Sequence, residues 1–274
     1  MRGFIVAMIF TPIVGLALIM TPLGLADLEA GWKFSYQNPA EIFFTCNDSI
    51  SANLIAGFGK NELRKFRLSY FTSPKEGTLS GLVYLERYYV QNAADSYSLA
   101  YSLAGGDELT SWGLKIGLDY FTTGSSTHVA VKLGFGIDLL FGNIRAGGSI
   151  QDLYIWTDDP KLYMAAKYSA TLGYFTDTLG FYLNGYTGNF ALYGLGLGMA
   201  FSNDSFGVSL RGDYLYDFPK STGTFQIGVG SLFTVSSMSF ALTVSKSMEE
   251  MNIDYPYTCE GSDWSLGLSI NIGL

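Results

Sequence analysis

An alternation of apolar and polar residues with a period of two runs through this chain from Ile50 to Leu274. Its longest stretch covers 129–141, where Val, Leu, Phe and Ile alternate with Ala, Lys, Gly and Asp. This alternation is typical of strands, because successive side chains of a strand point to opposite faces of the sheet. Similar runs recur about fourteen times with turn residues between them, so the sequence predicts an all-β antiparallel protein.

The connections between the predicted strands alternate in length. Long connections are predicted at 245–263 and 151–160, a medium one at 218–222, and tight turns near Ser236, at 203–204 and at Gly142-Asn143. Short connections at every second position are expected when strands run up and down and all the short turns lie at one end. The pattern favours a closed up-and-down barrel of about fourteen strands, with twelve and sixteen as alternatives.

The apolar side of these strands is predicted to face lipid. Charged residues make up only 15% of the chain and hydrophobic residues 48%, whereas a soluble domain has about 25% charged residues. The polar side consists mainly of Gly, Ser, Ala, Asn and Thr, which suits the inside of a membrane barrel better than a face in bulk water. Aromatic residues near the strand ends are expected to form girdles at the membrane interfaces: Tyr70, Tyr97, Trp112, Tyr120, Trp156, Tyr174, Tyr216 and Trp264.

The N-terminal residues 1–26 are predicted to be a secretory signal peptide. Arg2 precedes an apolar run that reaches Leu25, and the small residues Gly24 and Ala26 suit a cleavage site. A permanent transmembrane anchor is the alternative, because the run is nearly long enough to span a bilayer. Residues 27–49 are expected to be a periplasmic segment or to contribute an extra strand, and 50–274 to form the transmembrane barrel.

In its strand pattern and turn rhythm the chain resembles bacterial outer-membrane β-barrel proteins, specifically small porin-like barrels. The resemblance implies an outer-membrane location and three partners: the lipid bilayer, small hydrophilic solutes and the outer-membrane insertion machinery. One feature departs from the pattern, since such proteins generally end on an aromatic residue and this chain ends on Leu274. With a formal net charge of -8, no nucleic-acid partner is expected.

Charged residues on the polar side of the strands are predicted to line a pore. They are Lys65, Arg67, Lys115, Asp119, Lys132, Asp138, Arg145, Lys167, Arg211 and Asp213. Seven of these ten are basic, so the predicted lumen is basic although the protein is acidic. We therefore expect a channel for passive diffusion of small hydrophilic, anionic solutes. The alternative is a non-conducting barrel with a structural, adhesion or secretion-accessory role, in which the bases pair with the aspartates and plug the lumen.

The sequence indicates no enzyme, cofactor or metal site. Its single histidine, His128, lies near Ser125 and Ser126, but adjacent strand residues point to opposite faces and a serine-rich turn needs no catalytic explanation. Cys46 and Cys259 form an even pair, which permits a disulfide in an exported protein. The predicted topology places them at opposite ends of the barrel, unless an extra strand at 31–36 makes their loops neighbours.

Overall fold

The computed structural model describes residues 38–44, 48–58, 63–73, 79–90, 94–123, 126–159, 166–176, 178–188, 192–203, 205–248, 252–253, 259–260 and 264–274. The predicted signal peptide at 1–26, the proposed extra strand at 31–36 and Cys46 lie outside the described residues, and only the backbone of Cys259 lies within them. Export and the disulfide therefore stay predictions.

Most of the described residues belong to β-strands. The strands are β1 Ser49–Phe58, β2 Leu63–Thr72, β3 Ser80–Val90, β4 Ala94–Gly106, β5 Thr110–Thr123, β6 Ser126–Phe141, β7 Ile144–Thr157, β8 Lys167–Phe175, β9 Leu179–Gly188, β10 Leu192–Ser202, β11 Phe206–Asp217, β12 Thr222–Val235, β13 Met238–Ser247, β14 Asn252–Ile253, β15 Cys259–Glu260 and β16 Trp264–Gly273.

Fourteen of these strands form one closed antiparallel barrel. Each strand from β2 to β12 pairs with its neighbours in the chain, and β13 pairs with β16. The barrel closes where β1 pairs with β16, from Ser49 opposite Gly273 to Phe58 opposite Trp264. The short strands β14 and β15 form a separate hairpin within the connection before β16. The predicted closed up-and-down barrel of about fourteen strands is confirmed.

The two faces of the wall have opposite character. On β5, Ile116 and Leu118 point outward and are half exposed, whereas Lys115 and Asp119 point into the lumen and are buried. Because β1 begins and β16 ends at the same end of the barrel, we call this end, with Ser49 and Leu274, the terminal end. The opposite end, with the 158–166 and 248–263 connections, is the loop end.

The aromatic residues predicted to form girdles lie on the outward side toward both ends of the barrel. Tyr70, Trp112 and Tyr174 lie toward the terminal end. Five more lie toward the loop end: Tyr97, Tyr120, Trp156, Tyr216 and Trp264. Amphipathic rings in two such belts suit the two interfaces of a bilayer.

Charged side chains are rare on the outward face and are confined to one arc. Among the described strand residues they are Arg64, Arg87, Asp95 and Lys246. All four lie near the loop end, and each base is stacked on an aromatic ring: Arg64 on Phe58 at 5.5 Å, Arg87 on Tyr97 at 5.3 Å and Lys246 on Trp264 at 4.8 Å. Bases on the lipid side are tolerated near an interface and costly at the bilayer midplane, so this arc marks an interface.

Strand β7 is longer than the sequence pattern indicated. The predicted connection at 151–160 is wrong for its first part, because β7 continues to Thr157. The pairing with β6 shifts register between Val131 and Lys132 and again between Leu133 and Phe135; the second shift is a β-bulge, where Asp152 has a φ of 50°. The bulge turns two consecutive residues, Gln151 and Asp152, to the buried lumen side and so interrupts the period of two.

One non-strand element lies inside the barrel. Residues Pro39–Phe44 form a 3-10 helix that packs against the lumen faces of β3, β4, β5 and β6. We call residues 38–44 the plug segment. In the described part of the chain, no helix has both the length and the apolar character needed to cross a bilayer.

Candidate functional site in the barrel lumen

All ten residues predicted to line a pore lie on the lumen side of the wall. They are Lys65, Arg67, Lys115, Asp119, Lys132, Asp138, Arg145, Lys167, Arg211 and Asp213. The structure brings eight of them together on the wall formed by β2 to β8, which we call the charged wall. Arg211 and Asp213 lie apart on β11. That these side chains line a conducting path stays a prediction.

Lys65 and Arg67 share a carboxylate that sequence reasoning missed. Arg67 donates a hydrogen bond from Nε to Glu86 Oε2 at 2.6 Å, and Lys65 Nζ lies 3.3 Å from the same oxygen. Arg67 and Glu86 are directly opposed on β2 and β3, and the guanidinium also stacks on the Tyr84 ring at 4.6 Å. Glu86 was not predicted because β3 carries large apolar or aromatic residues on both of its faces. The sequence therefore did not show which face of β3 points into the lumen.

Lys132 lies at the centre of the charged wall between two carboxylates. Its Nζ is 2.7 Å from Asp119 Oδ2 and 3.3 Å from Asp152 Oδ1, and Lys167 binds the other oxygen of Asp152. Tyr154 donates its hydroxyl hydrogen to Asp119 Oδ2 at 2.8 Å. The bulge in β7 is what brings Asp152 into this group.

Lys115 joins the two groups of charges. Its Nζ donates to Gln151 Oε1 at 3.0 Å, beside Asp152, and lies 5.5 Å from the centre of the Tyr84 ring on the other side. Most of the charged wall is therefore one network from Glu86 to Lys167, whereas Asp138 and Arg145 pair with each other nearer the terminal end.

The plug segment occupies a seat made by glycines on three neighbouring strands. A Cβ atom on Gly113 would lie 2.3 Å from the carbonyl carbon of Pro39, and one on Gly136 would lie 1.8 Å from Asn38 Oδ1. The fit is looser at Gly147, where a Cβ atom would lie 3.0 Å from Asp138 Oδ1 and 3.1 Å from Asn38 Nδ2. Gly113 and Gly136 are directly opposed on β5 and β6, so the seat is a flat patch of backbone that only residues without a side chain can provide.

Polar contacts hold the plug segment in this seat. Asn38 Nδ2 donates to the carbonyl of Ile137 at 2.7 Å, and Ser111 Oγ donates to the carbonyl of Ala40 at 3.0 Å. Both Asn38 and Ala40 are buried. The seat lies toward the terminal end, because its strand residues are close to the turns at 107–109 and 142–143.

Glu41 of the plug segment faces an ion pair of the wall. Arg145 donates from Nε to Asp138 Oδ2 at 2.6 Å, and its Nη2 lies 3.8 Å from Glu41 Oε1. Desolvation by the surrounding protein raises the pKa of Glu41 to about 7; the Arg145 charge opposes this rise and Asp138 adds to it. Solvent still reaches 42% of the Glu41 side chain and screens its charge, so its energetic effect is modest.

Arg211 and Asp213 form an ion pair on β11, away from the charged wall. Arg211 Nη2 donates to Asp213 Oδ1 at 2.5 Å, and both side chains are buried against β10. A Cβ atom on Gly196 would lie 2.3 Å from Asp213 Oδ1, so the carboxylate lies directly against the backbone of β10.

The described lumen holds more carboxylates than the sequence analysis found. In addition to the three predicted aspartates, Glu41, Glu86, Asp152 and Asp217 lie on the lumen side. With these four, seven acids face the seven predicted bases in the described residues. The expected excess of positive charge is therefore absent from the part of the lumen that the structure describes.

The wall formed by β12, β13, β16 and β1 is polar but carries no charge on the lumen face of its described strand residues. We call it the uncharged wall. Its inward polar side chains in the described strands are Ser49, Ser51, Asn53, Thr224, Gln226, Thr234, Ser239, Thr243, Ser245, Ser247, Ser265, Ser269 and Asn271. Gln226 Nε2 donates to Ser245 Oγ at 2.8 Å, and the Ser245 and Ser265 hydroxyls are 2.5 Å apart.

His128 lies near the loop end, where its described contacts are structural. Its Nδ1 is 3.3 Å from Asp158 Oδ1, and its ring stacks on Phe121 with 5.4 Å between centroids. In the portion of the chain that the structure describes, no cluster of three or more His, Cys, Asp or Glu side chains could hold a metal ion.

Comparisons with known proteins agree on the fold. No family model and no curated protein sequence matches this chain. The solved structure of the CymD monoaromatic hydrocarbon channel matches 92% of this chain and 94% of its own, with a TM-score of 0.65 and 10% identity. Omp33, an outer membrane protein of Acinetobacter baumannii, matches 84% of this chain and 98% of its own, with a TM-score of 0.50 and 10% identity. At these identities the likeness establishes the fold alone, which is that of outer-membrane β-barrel proteins.

Proposed function

We propose that the protein is an outer-membrane channel for passive diffusion of small hydrophilic solutes. The observation that carries this proposal is the inversion of the barrel, with large apolar side chains outside and most of the buried polar and charged side chains inside. A polar lumen in a fourteen-strand barrel provides a water-compatible route through the membrane, since barrel width grows with strand number. The fold shared with CymD and Omp33 is consistent with this role and with an outer-membrane location.

The charge of the lumen supports weak ion selectivity. The expected anion preference depended on an excess of basic side chains in the lumen. The three predicted acids and the four additional ones of the described lumen together balance the seven bases. Most of these charges are paired within the wall, and paired charges exert a smaller net field on a passing ion. We therefore propose a channel that selects solutes by small size and hydrophilicity more than by charge. Any preference for anions over cations is slight.

Planar-bilayer recordings test the proposal. Refolded protein should give discrete conductance steps in KCl, whereas protein inactivated by heating should give none. His128→Ala should conduct like the unmodified protein, because His128 has no part in passive diffusion. Correctly folded protein, judged by heat-modifiable gel mobility, that never conducts would overturn the proposal.

A non-conducting barrel is the second candidate, and the plug segment favours it. A seated segment at the terminal end, together with an ion-paired wall, would obstruct part of the lumen. In that case the protein would serve a structural, adhesion or secretion-accessory role. The two candidates differ in one measurable respect, because unseating the plug segment should change the conductance of a channel and leave a solid barrel silent.

A further inference from the structure

Most of the inward side of the barrel wall is closed to solvent, because the lumen side chains bury one another. In the described strands, every inward position is buried over 53–57 of β1, 65–71 of β2, 98–104 of β4, 111–121 of β5, 130–138 of β6, 207–217 of β11, 224–232 of β12, 239–247 of β13 and 265–269 of β16. A solute that crosses the lumen must therefore pass along another part of the wall.

Strand β8 keeps its inward face open. Its consecutive inward residues Lys167, Ser169 and Thr171 are all partly exposed, and so is Asn184, which is opposite Thr171 on β9. Arg145 on β7 continues this series toward the terminal end, with 19% of its side chain exposed. We call these five residues the β8 groove.

Short side chains leave space in front of the groove at mid-height. Thr171 lies between Gly147 on β7 and Asn184 on β9. Ser169 is opposite Ser149, and their hydroxyl oxygens are 2.8 Å apart. None of these side chains is long enough to reach across the lumen, so the inward face of β8 stays open.

The large side chains of β9 lie on the far side of that strand. A Cβ atom on Gly194 would overlap the ring of Tyr186, and one on Gly198 would overlap the ring of Tyr182. Both glycines are directly opposite these tyrosines on β10, so the two rings lie over the backbone of β10 and not over β8. The glycines of β10 thereby keep the groove free of aromatic rings.

The terminal end of the groove meets the plug segment. The ring of Phe175 covers Gly173, because a Cβ atom on that glycine would overlap it. The exposed series therefore leaves β8 at this level and continues past Arg145, whose Nη2 lies 3.8 Å from Glu41 Oε1. Glu41 is itself exposed, so the plug segment lies at the end of the groove and not across its middle.

Strand β3 is the other strand with exposed inward positions away from the strand ends. Leu82 and Glu86 are partly exposed there, but Tyr84 between them is buried. Glu86 is also held by Lys65 and Arg67. The described part of β3 thus has isolated openings, whereas β8 has a continuous open face.

We propose that solutes cross the barrel along the β8 groove and that Thr171 and Asn184 set the size limit of this path. Hydroxyl and amide groups both donate and accept hydrogen bonds, so these two side chains can replace water around a small hydrophilic solute. This inference rests on the proposed channel function and names its route and its size-determining residues.

Cysteine substitution tests the route in protein whose own Cys46 and Cys259 have been replaced by Ser. Conductance in KCl is recorded before and after addition of 2-(trimethylammonium)ethyl methanethiosulfonate, which attaches a small charged group to an accessible thiol through a disulfide. The cysteine-free protein gives the background, and heat-modifiable gel mobility verifies that each variant has folded.

The variants place the same residue change on an open and on a closed part of the wall. Thr171→Cys and Asn184→Cys put a thiol in the groove. Thr243→Cys and Asn53→Cys are the matched controls, because these residues face the lumen from the uncharged wall and are buried, at 0% and 4% exposed.

The reagent should lower the conductance of each groove variant by about half, since the attached group occupies part of the path, and dithiothreitol should restore it. The controls should keep their conductance, and mass spectrometry should find the attached group on the groove cysteines alone. Groove cysteines that react without loss of current, groove cysteines that stay unmodified in a conducting protein, or an equal loss in the controls would overturn the route and leave the channel standing. Absence of KCl conductance in the unmodified protein would overturn both.

The size limit has its own measurement, which needs no cysteine. Thr171→Ala with Asn184→Ala should raise the swelling rate of proteoliposomes in raffinose relative to glucose about twofold, because shorter side chains widen the path. Thr243→Ala with Asn53→Ala should leave this ratio as it is in the unmodified protein. A ratio that is equal in the two double variants would show that Thr171 and Asn184 do not limit solute size.

Discussion

The carbonyl carbon of Pro39 lies 2.3 Å from the position that a Cβ atom would take on Gly113. Real Cβ atoms do not approach backbone carbon so closely, so the plug segment and any larger residue at 113 exclude one another. The close approach makes Gly113 a place where the position of the plug segment can be changed by adding a single methyl group.

Gly113→Ala should unseat the plug segment and raise the single-channel conductance in KCl. The added methyl cannot be relieved by a side-chain rotation, because its neighbour is the backbone of Pro39 and Ala40. Gly185→Ala on the outward side of β9 is the control for the glycine-to-alanine change itself, since a Cβ atom there meets nothing within 4 Å. Equal conductance for Gly113→Ala and Gly185→Ala would mean that the seated segment does not restrict the conducting path.

Glu41 should make the seat sensitive to pH. Its pKa is raised from the ordinary value of 4.5 to about 7 when the segment is seated, so the seated form binds the proton more tightly than the released form. Seating is therefore favoured fully below pH 4.5, and this contribution is lost as the pH rises through about 7. Conductance should increase over that interval. Glu41→Gln should remove the dependence, and a pH response unchanged in that variant would assign it to another group.

Asp152 should contribute to stability through both its charge and its backbone conformation. Asp152→Asn keeps a residue that tolerates the φ of 50° but removes the carboxylate shared by Lys132 and Lys167, at a cost of about 1–3 kcal/mol. Asp152→Ala should cost about 1 kcal/mol more, because alanine is strained at positive φ. Urea unfolding in lipid vesicles, followed by tryptophan fluorescence, measures both. Equal losses would show that the backbone conformation carries no penalty.

Replacing Lys115, Lys132 and Lys167 together by Glu should make the channel cation-selective. The change removes three positive charges and adds three negative ones in a lumen whose described charges balance, and the new carboxylates would repel Asp119 and Asp152 instead of pairing with them. The zero-current potential in a KCl gradient should move from near zero to a value typical of cation preference. An unchanged potential would indicate that the conducting path avoids the charged wall.

The period of two was sufficient to predict the barrel and the inward position of all ten charged residues. It works because a one-residue slip on any strand would turn charged side chains such as Lys132 into lipid, which fixes the register. The number of strands was also predictable, because each membrane crossing needs its own alternating segment and the turn that follows it.

The carboxylates that neutralise the lumen could not be read from the same pattern. Glu86 lies on a strand with large residues on both faces. Asp152 is turned inward by a β-bulge for which the sequence gives no local indication. The seat of the plug segment was also beyond prediction, since it depends on glycines of β5, β6 and β7 meeting Asn38 and Pro39 in space. Only the glycines at 113 and 136, on otherwise regular strands, give a hint that something approaches the backbone there.

The pairing of β1 with β16 determines when the barrel can close during assembly. Every rung of this seam joins the start of the barrel to the last residues of the chain, as Ser49 is joined to Gly273. Until Trp264–Gly273 have been synthesised and delivered, β1 and β13 both remain unsealed edges with unpaired amides and carbonyls. The barrel can therefore close only once β16 is present, so a chain truncated before Trp264 would leave a sheet that cannot close in a bilayer.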